Sequence, residues 1–212
     1  MDIPELFAAL DSHTNQFGPY DPHTVAVVNE LAMALWRAGD SDQAVGLLSQ
    51  ALDGLEQPPD GEGTVRVNLL CTLGEIMVEQ CRMEQARVVY REVLDLCVRR
   101  SGEWHPSSLA AKGDLAVVLF SLGEVTEARH VEEQAITDAR FHLGDRHSVT
   151  SVLAWNRALR YDISDDSNAV HEIAGNQLAW LLTEQDSRLE PDQRTIRYML
   201  AKRLNWDTAT VC

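Results

Sequence analysis

Lysine is nearly absent from this chain. Lys112 and Lys202 are the only two, so arginine supplies 16 of the 18 basic residues. Against them stand 33 Asp and Glu, which leaves a net charge of −15. A duplex-binding surface needs clustered Lys and Arg, so no nucleic-acid partner is expected. The same shortage disfavours an anionic membrane surface. No uninterrupted apolar run approaches the ~18 residues of a spanning helix. The opening MDIPELFAALDSH is acidic and lacks a basic stretch followed by an apolar one, so no secretory signal is expected. Cysteine is scarce as well: Cys71, Cys81, Cys97 and Cys212 form no CxxC pair and suggest no disulfide framework. Together these point to a cytoplasmic protein with reduced thiols. The arginine bias suggests a high-GC bacterial genome.

Motifs of chemistry are missing too. The GEG at 61–63 has neither a preceding strand nor the later glycine of a phosphate-cradling loop. No GxSxG elbow, HExxH or EF-hand loop occurs. His142, Asp145 and His147 lie close in sequence, but His147 matches His105 as a turn residue, so no metal site is expected there. Asp162, Asp165 and Asp166 read as a solvated acidic turn between helices. Cys71, Cys81 and Cys97 fall in or at the ends of expected helices, where a thiol behaves as a small hydrophobe. Neither an enzyme nor a cofactor is expected.

What the chain does have is a repeat. Leu31–Ala44 reads LAMALWRAGDSDQA, Leu73–Ala86 reads LGEIMVEQCRMEQA, and Leu115–Ala128 reads LAVVLFSLGEVTEA, each 42 residues after the last. Small residues recur in phase at Ala32, Gly74 and Ala116, then at Ala44, Ala86 and Ala128, then at Ala51, Val93 and Ala135. Apolar residues between them fall at helical spacing. Small residues where antiparallel helices cross let the backbones approach closely. The spacing therefore predicts helix pairs at 22–39 with 41–56, 63–81 with 83–100, and 106–122 with 125–141. Gly39 and Gly123 stand where first helices end, whereas Cys81 holds the matching place in the second unit, a turn to be closed without glycine's freedom at positive φ. Pro22 and Pro106 occupy first turns, where a missing N–H costs nothing.

This pattern resembles the tetratricopeptide repeat. With GPYDPHT, GEWHPSS and LGDRHS between hairpins, the 42-residue spacing is similar to the kinesin-light-chain type. The resemblance implies an all-α fold, a right-handed α-solenoid of antiparallel helix hairpins. The expected organisation is an N-terminal capping helix at 1–16, three hairpins over 17–144, a degenerate fourth over 145–188, a C-terminal capping helix at 189–206 and a tail at 207–212. The fourth unit departs from the pattern at Arg157, where leucine is expected. In the last helix Ile196, Met199, Leu200 and Arg203 share one stripe.

In that family the first helix of each hairpin lines a groove for a peptide or a partner helix. Position by position, this implies a partner-binding face of Asn29, Met33, Trp36 and Arg37 from unit one, Asn68, Glu75 and Glu79 from unit two, Val117 and Phe120 from unit three, and Trp155 from the fourth. The family's ladder of Asn is represented by Asn29 alone, with Cys71 and Gly113 at the equivalent places. Aromatic anchors Trp36, Phe120 and Trp155 beside acidic Glu75 and Glu79 suit a protein partner that presents apolar and basic residues. The other reading of Trp36 and Phe120 is packing against the next hairpin.

Two alternatives stay open at this point. Arg194, Arg197, Lys202 and Arg203 make the last helix locally basic beside an acidic stretch, either as a docked cap or as a separate recognition element. The tail NWDTATVC ends on Cys212, which a carrier protein would offer to a modifying enzyme.

Overall fold

The structure, a computed structural model, describes residues 2–55, 63–163 and 174–203. The tail with Cys212, the acidic Asp165 and Asp166, and most of the 57–63 linker lie outside the described residues. No strand occurs among the described residues, and the fold is an all-α, solenoid-type array of helix hairpins. It divides into two compact units, Met1–Ser101 and Gly102–Cys212.

The first unit holds α1 (Ile3–Phe17), α2 (Pro22–Arg37), α3 (Ser41–Gly54), α4 (Gly63–Glu79) and α5 (Met83–Ser101). Each start has a local cause. Asp2 and Glu5 form a reciprocal capping box on α1. Asp21 accepts the His23 N–H at 2.9 Å ahead of Pro22, and that backbone donor holds its carboxyl below the usual carboxylate range. Asp40 accepts from Gln43 N at 3.2 Å to open α3. The pairs α2–α3 and α4–α5 pack along their lengths, with α1 against α2. Ala32, Ala44 and Ala86 are 0% exposed at the crossings. Arg66, on α4, donates to the Leu52 and Leu55 carbonyls at 3.1 and 3.3 Å, satisfying the end of α3 while it pairs with Glu92 at 2.7 Å.

The second unit contains α6 (Pro106–Ser121), α7 (Val125–His142) and α8 (Ser148–Ile163). After them come a π-helical turn at Ala174–Leu178, the one-turn α9 (Trp180–Thr183), a 3₁₀ turn at Asp186–Arg188, and α10 (Pro191–Arg203). The six hairpin helices, α2 to α7, begin and end within two residues of the positions predicted from the repeat. His105 and His147 each cap a helix through Nδ1, which accepts the N–H of Ser107 and of Val149 at 3.2 Å. On α10 the buried face is Gln193, Ile196, Leu200 and Ala201, packed over Trp155, Leu178, Leu181 and Leu182. Met199 is 43% exposed and Arg203 is exposed as well, so the expected stripe is rotated from the true one. Its basic residues turn back on the preceding segment: Arg197 donates to the Glu184 carbonyl at 3.1 Å, and Arg194 to that of Asp186 at 3.2 Å.

The three hairpin turns close alike. Gly39, Cys81 and Gly123 have φ of 89°, 57° and 80°, so the cysteine takes up the left-handed conformation that its residue type disfavours. In each turn the next N–H reaches back to the helix, as in Asp40 to Leu35 O (2.9 Å), Arg82 to Met77 O (2.8 Å) and Glu124 to Leu119 O (3.0 Å). A Cβ in this region is strained by about 1–2 kcal/mol. Cys81→Gly is therefore expected to stabilise the protein by roughly 0.5–1 kcal/mol, after allowing for glycine's extra freedom in the unfolded chain. Chemical denaturation checks this; an unchanged or lower stability contradicts the strain at Cys81.

Candidate functional site

In the first unit, α2 and α4 carry the expected partner-binding residues. Asn29, Met33 and Trp36 are half-buried, while Arg37, Asn68, Glu75 and Glu79 are exposed. Trp36 and Glu79 are brought together: the indole Nε1–H donates to the Glu79 carboxylate. This bond fixes the ring at the end of α2 and leaves an acidic group beside an apolar one. Asn29 faces Met33, Nδ2 to Sδ at 4.0 Å, and its Oδ1 is buried without a partner. Cys71, at the equivalent place on α4, is half-buried.

Glu75 is exposed, yet partial burial against its helix surroundings pushes its carboxyl above the ordinary 4.5. The sign follows directly. A raised folded value means that the charged form is disfavoured in the fold, so the penalty is present above that value and fades as pH falls through it. Replacing Glu75 by Gln is therefore expected to raise the thermal midpoint at pH 7 and to lose that advantage towards pH 4. A difference that is constant across this range contradicts the assignment.

In the second unit, Val117 and Phe120 on α6 are half-buried, and the Arg160 guanidinium sits 4.5 Å from the centre of the Phe120 ring. One face of that anchor is thus covered by an arginine that the sequence reading did not assign to the site. Arg160 in turn pairs with Glu132 of α7, whose side chain is 6% exposed, and Arg157 Nε lies 3.9 Å from the same carboxylate. The repeat phase holds the clue to this cluster: position 132 corresponds to Leu48 and Tyr90, and position 157 to Leu31, Leu73 and Leu115. An apolar pair of the earlier hairpins has become charged.

Trp155 is corrected by the structure. It is only 8% exposed, in a core with Leu181, Ile196 and Leu200, so its ring is not an open anchor. The Asn-ladder position also changes character here, because Gly113 is buried and a Cβ on it would lie 2.3 Å from Leu153 Cδ2. Helix α8 uses the missing side chain to come close to α6. Beside this contact is a pocket of about 130 Å³ whose apolar wall includes Ala110, Val149, Val152 and Leu153. On another side of the unit a wider cleft of about 640 Å³ opens between α7 and the π-helical turn, with Arg140, Phe141, Arg157 and Gln177 in its lining. His142, weighed as a metal ligand, stacks on Trp104 with ring centres 4.6 Å apart.

Comparison with known proteins agrees with the repeat. Residues 108–148 match the family model described as Tetratricopeptide repeat. No curated protein sequence matches the chain. Among solved structures it is similar to BtubC (BKLC) from P. vanneervenii, with a TM-score of 0.72 at 15% identity over 97% of this chain and 84% of that one. The nearly identical TPR-like repeats of a putative kinesin light chain from P. anserina give 0.68 at 19% identity, covering 96% of this chain and 87% of that one. The apo quorum sensor NprR from B. thuringiensis gives 0.66 at 16% identity, with 96% of this chain on 55% of that one. The chain is accordingly similar in fold to tetratricopeptide-repeat solenoids, and its segment 108–148 matches the model of that repeat.

Proposed function

We propose that this chain is a non-catalytic, cytoplasmic interaction module that binds another protein on the faces of its first-of-pair helices. The observation that carries the reading is the Trp36–Glu79 pair, an aromatic ring held in place by a carboxylate at the exposed ends of α2 and α4. An ordered ring loses little entropy on binding, and an adjacent acid selects basic neighbours in the partner. Asn29, Met33, Arg37, Asn68 and Glu75 lie along the same two helices, and Val117 with Phe120 supplies the corresponding face of the second unit. Trp155 supports that face from within the core. In this reading α1 and α10 are caps whose outer surfaces meet water. The partner is a helix or peptide bearing apolar and basic residues. No described helix is long and apolar enough to cross a membrane.

The test is capture from the native host with wild-type and Trp36→Ala protein as bait, alongside Glu75→Lys measured at low and moderate salt. A partner retained by wild type is expected to be lost with Trp36→Ala at every salt concentration. Glu75→Lys is expected to weaken it most at low salt, because exposed charge acts through a screened field. Equal capture by all three folded baits contradicts the assigned face.

A further inference from the structure

We propose that the apolar pocket of about 130 Å³ beside Gly113 receives one leucine-sized aliphatic side chain of the bound protein; this rests on the reading of the chain as a protein-binding module. The pocket continues the face assigned to that protein. Ala110, Gly113 and Val117 follow at i, i+3 and i+7 along α6, so they share one side of the helix. In the first unit the phase of Gly113 holds Asn29, whose amide can bond to a partner's backbone; the glycine has no such group. On the α8 side Val149, Val152 and Leu153 make the wall hydrocarbon. What this point recognises is therefore a side chain by its shape, not a peptide group by its hydrogen bonds.

The polar lining does not compete for the occupant. Asp114 already has an interaction partner, and Asp192 is exposed to water in the first turn of α10, where its charge suits the helix N-terminus. Ser148 and Asn156 are half-buried and uncharged, so both keep contact with water. A cation entering the pocket would lose its hydration without meeting a free carboxylate, and an anion would lose it beside two acidic residues. A hydrocarbon group loses nothing there and removes apolar wall from water. Size narrows the choice further. An apolar cavity of about 150 Å³ stays dry and admits benzene, so this slightly smaller one suits the isobutyl group of leucine. A benzyl group, larger than benzene itself, overfills it, and the methyl of alanine leaves it nearly empty.

The experiment uses the full chain with ¹³C-labelled methyl groups and capped tripeptides, acetyl-Ala-Xaa-Ala-amide, with Xaa as leucine, valine, alanine, phenylalanine or lysine. The leucine peptide is expected to shift the Ala110, Val149, Val152 and Leu153 methyl signals saturably. One buried methylene is worth about fourfold in affinity, so the valine peptide is expected to bind about fourfold more weakly and the alanine peptide more than about tenfold. The phenylalanine and lysine peptides are expected to bind more weakly than leucine as well. Ala110→Leu fills the pocket from within and is expected to abolish the shifts at unchanged secondary structure. Val152→Thr keeps the outline of the wall but adds a hydroxyl, and is expected to weaken the leucine peptide about three- to tenfold. No saturable shift, an alanine, phenylalanine or lysine peptide that binds as well as leucine, or an unchanged affinity in Val152→Thr each overturns the proposal. So does a shift of these signals when the protein alone is diluted, which identifies a second copy as the occupant. A shift in a Trp206→Ala, Val211→Ala chain identifies its own tail and overturns it too. The capture tests with Trp36→Ala read the first unit separately, so the pocket can fail while the partner reading stands, and the reverse.

Discussion

Glu132→Leu is expected to cost about 3–5 kcal/mol, close to 10 °C in thermal midpoint for a chain of this size, although it installs the residue found at the same phase in the first hairpin. The Glu132 carboxylate is 6% exposed and is held by Arg160 and Arg157, whose side chains are 18% and 25% exposed. Removing it leaves two largely desolvated guanidinium groups facing each other's charge. The cost belongs to the unpaired charges and not to the lost carboxylate, because a buried ion cluster as a whole contributes little compared with a well-packed apolar one. Adding Arg157→Leu and Arg160→Met to Glu132→Leu is therefore expected to bring stability back to within about 1 kcal/mol of wild type. The triple variant removes the charges and fills the space with side chains like those of the earlier hairpins. Equilibrium denaturation of the single and triple variants decides the matter. A harmless Glu132→Leu, or a triple variant as unstable as the single one, contradicts this account of the cluster.

A second large effect lies in the other unit and inverts with context. A Cβ at Gly74 would approach the Tyr90 ring, 2.8 Å from Cζ and 3.0 Å from Cε2, and the ring is buried at 5% exposure. Gly74→Ala gains about 1 kcal/mol in helix propensity, but overpacking against a rigid buried ring costs roughly 1–3 kcal/mol. The packing cost wins at the middle of that range, and the net expectation is a loss of about 1 kcal/mol. The first hairpin shows how the conflict is resolved, since Ala32 and Leu48 occupy these same two phases there. In a Tyr90→Leu background the same Gly74→Ala change is thus expected to stabilise by about 0.5–1 kcal/mol. A double-mutant cycle in denaturant measures the coupling, and equal effects of Gly74→Ala in both backgrounds would show that the ring is not the obstacle.

The fold was legible because its determinants are local and periodic. Small residues 42 apart mark the helix crossings, Pro22 and Pro106 mark first turns, and Gly39 and Gly123 mark helix ends. Two kinds of feature escaped. A backbone conformation is not carried by residue type alone, so the sequence suggests a different turn at Cys81 although the surrounding helices impose the glycine geometry on it. Exposure also depends on what comes next in the chain. Trp155 shares the phase of Asn29 and would face outward if another regular hairpin followed, but α9 and α10 bend over it. Met199 was placed on the buried stripe of α10 for a related reason: the seat for that helix is built by Leu178, Leu181 and Leu189, which follow no repeat. The Glu132 cluster is half visible, since Arg157 stands at a leucine phase, but its partner becomes evident only with α7 and α8 side by side. In the candidate site, phase identified Trp36 and Glu79 as members of one face, whereas their direct hydrogen bond required the coordinates.

The most direct test of the protein-binding account is the affinity of the captured partner for wild-type and Trp36→Ala chains, measured by titration calorimetry with equal secondary structure verified for both. Truncating an aromatic anchor at an interface centre typically costs at least ~2 kcal/mol, so a dissociation constant about thirtyfold higher is expected for Trp36→Ala. A partner that binds both chains with the same affinity contradicts the assignment of the α2–α4 face as the binding surface.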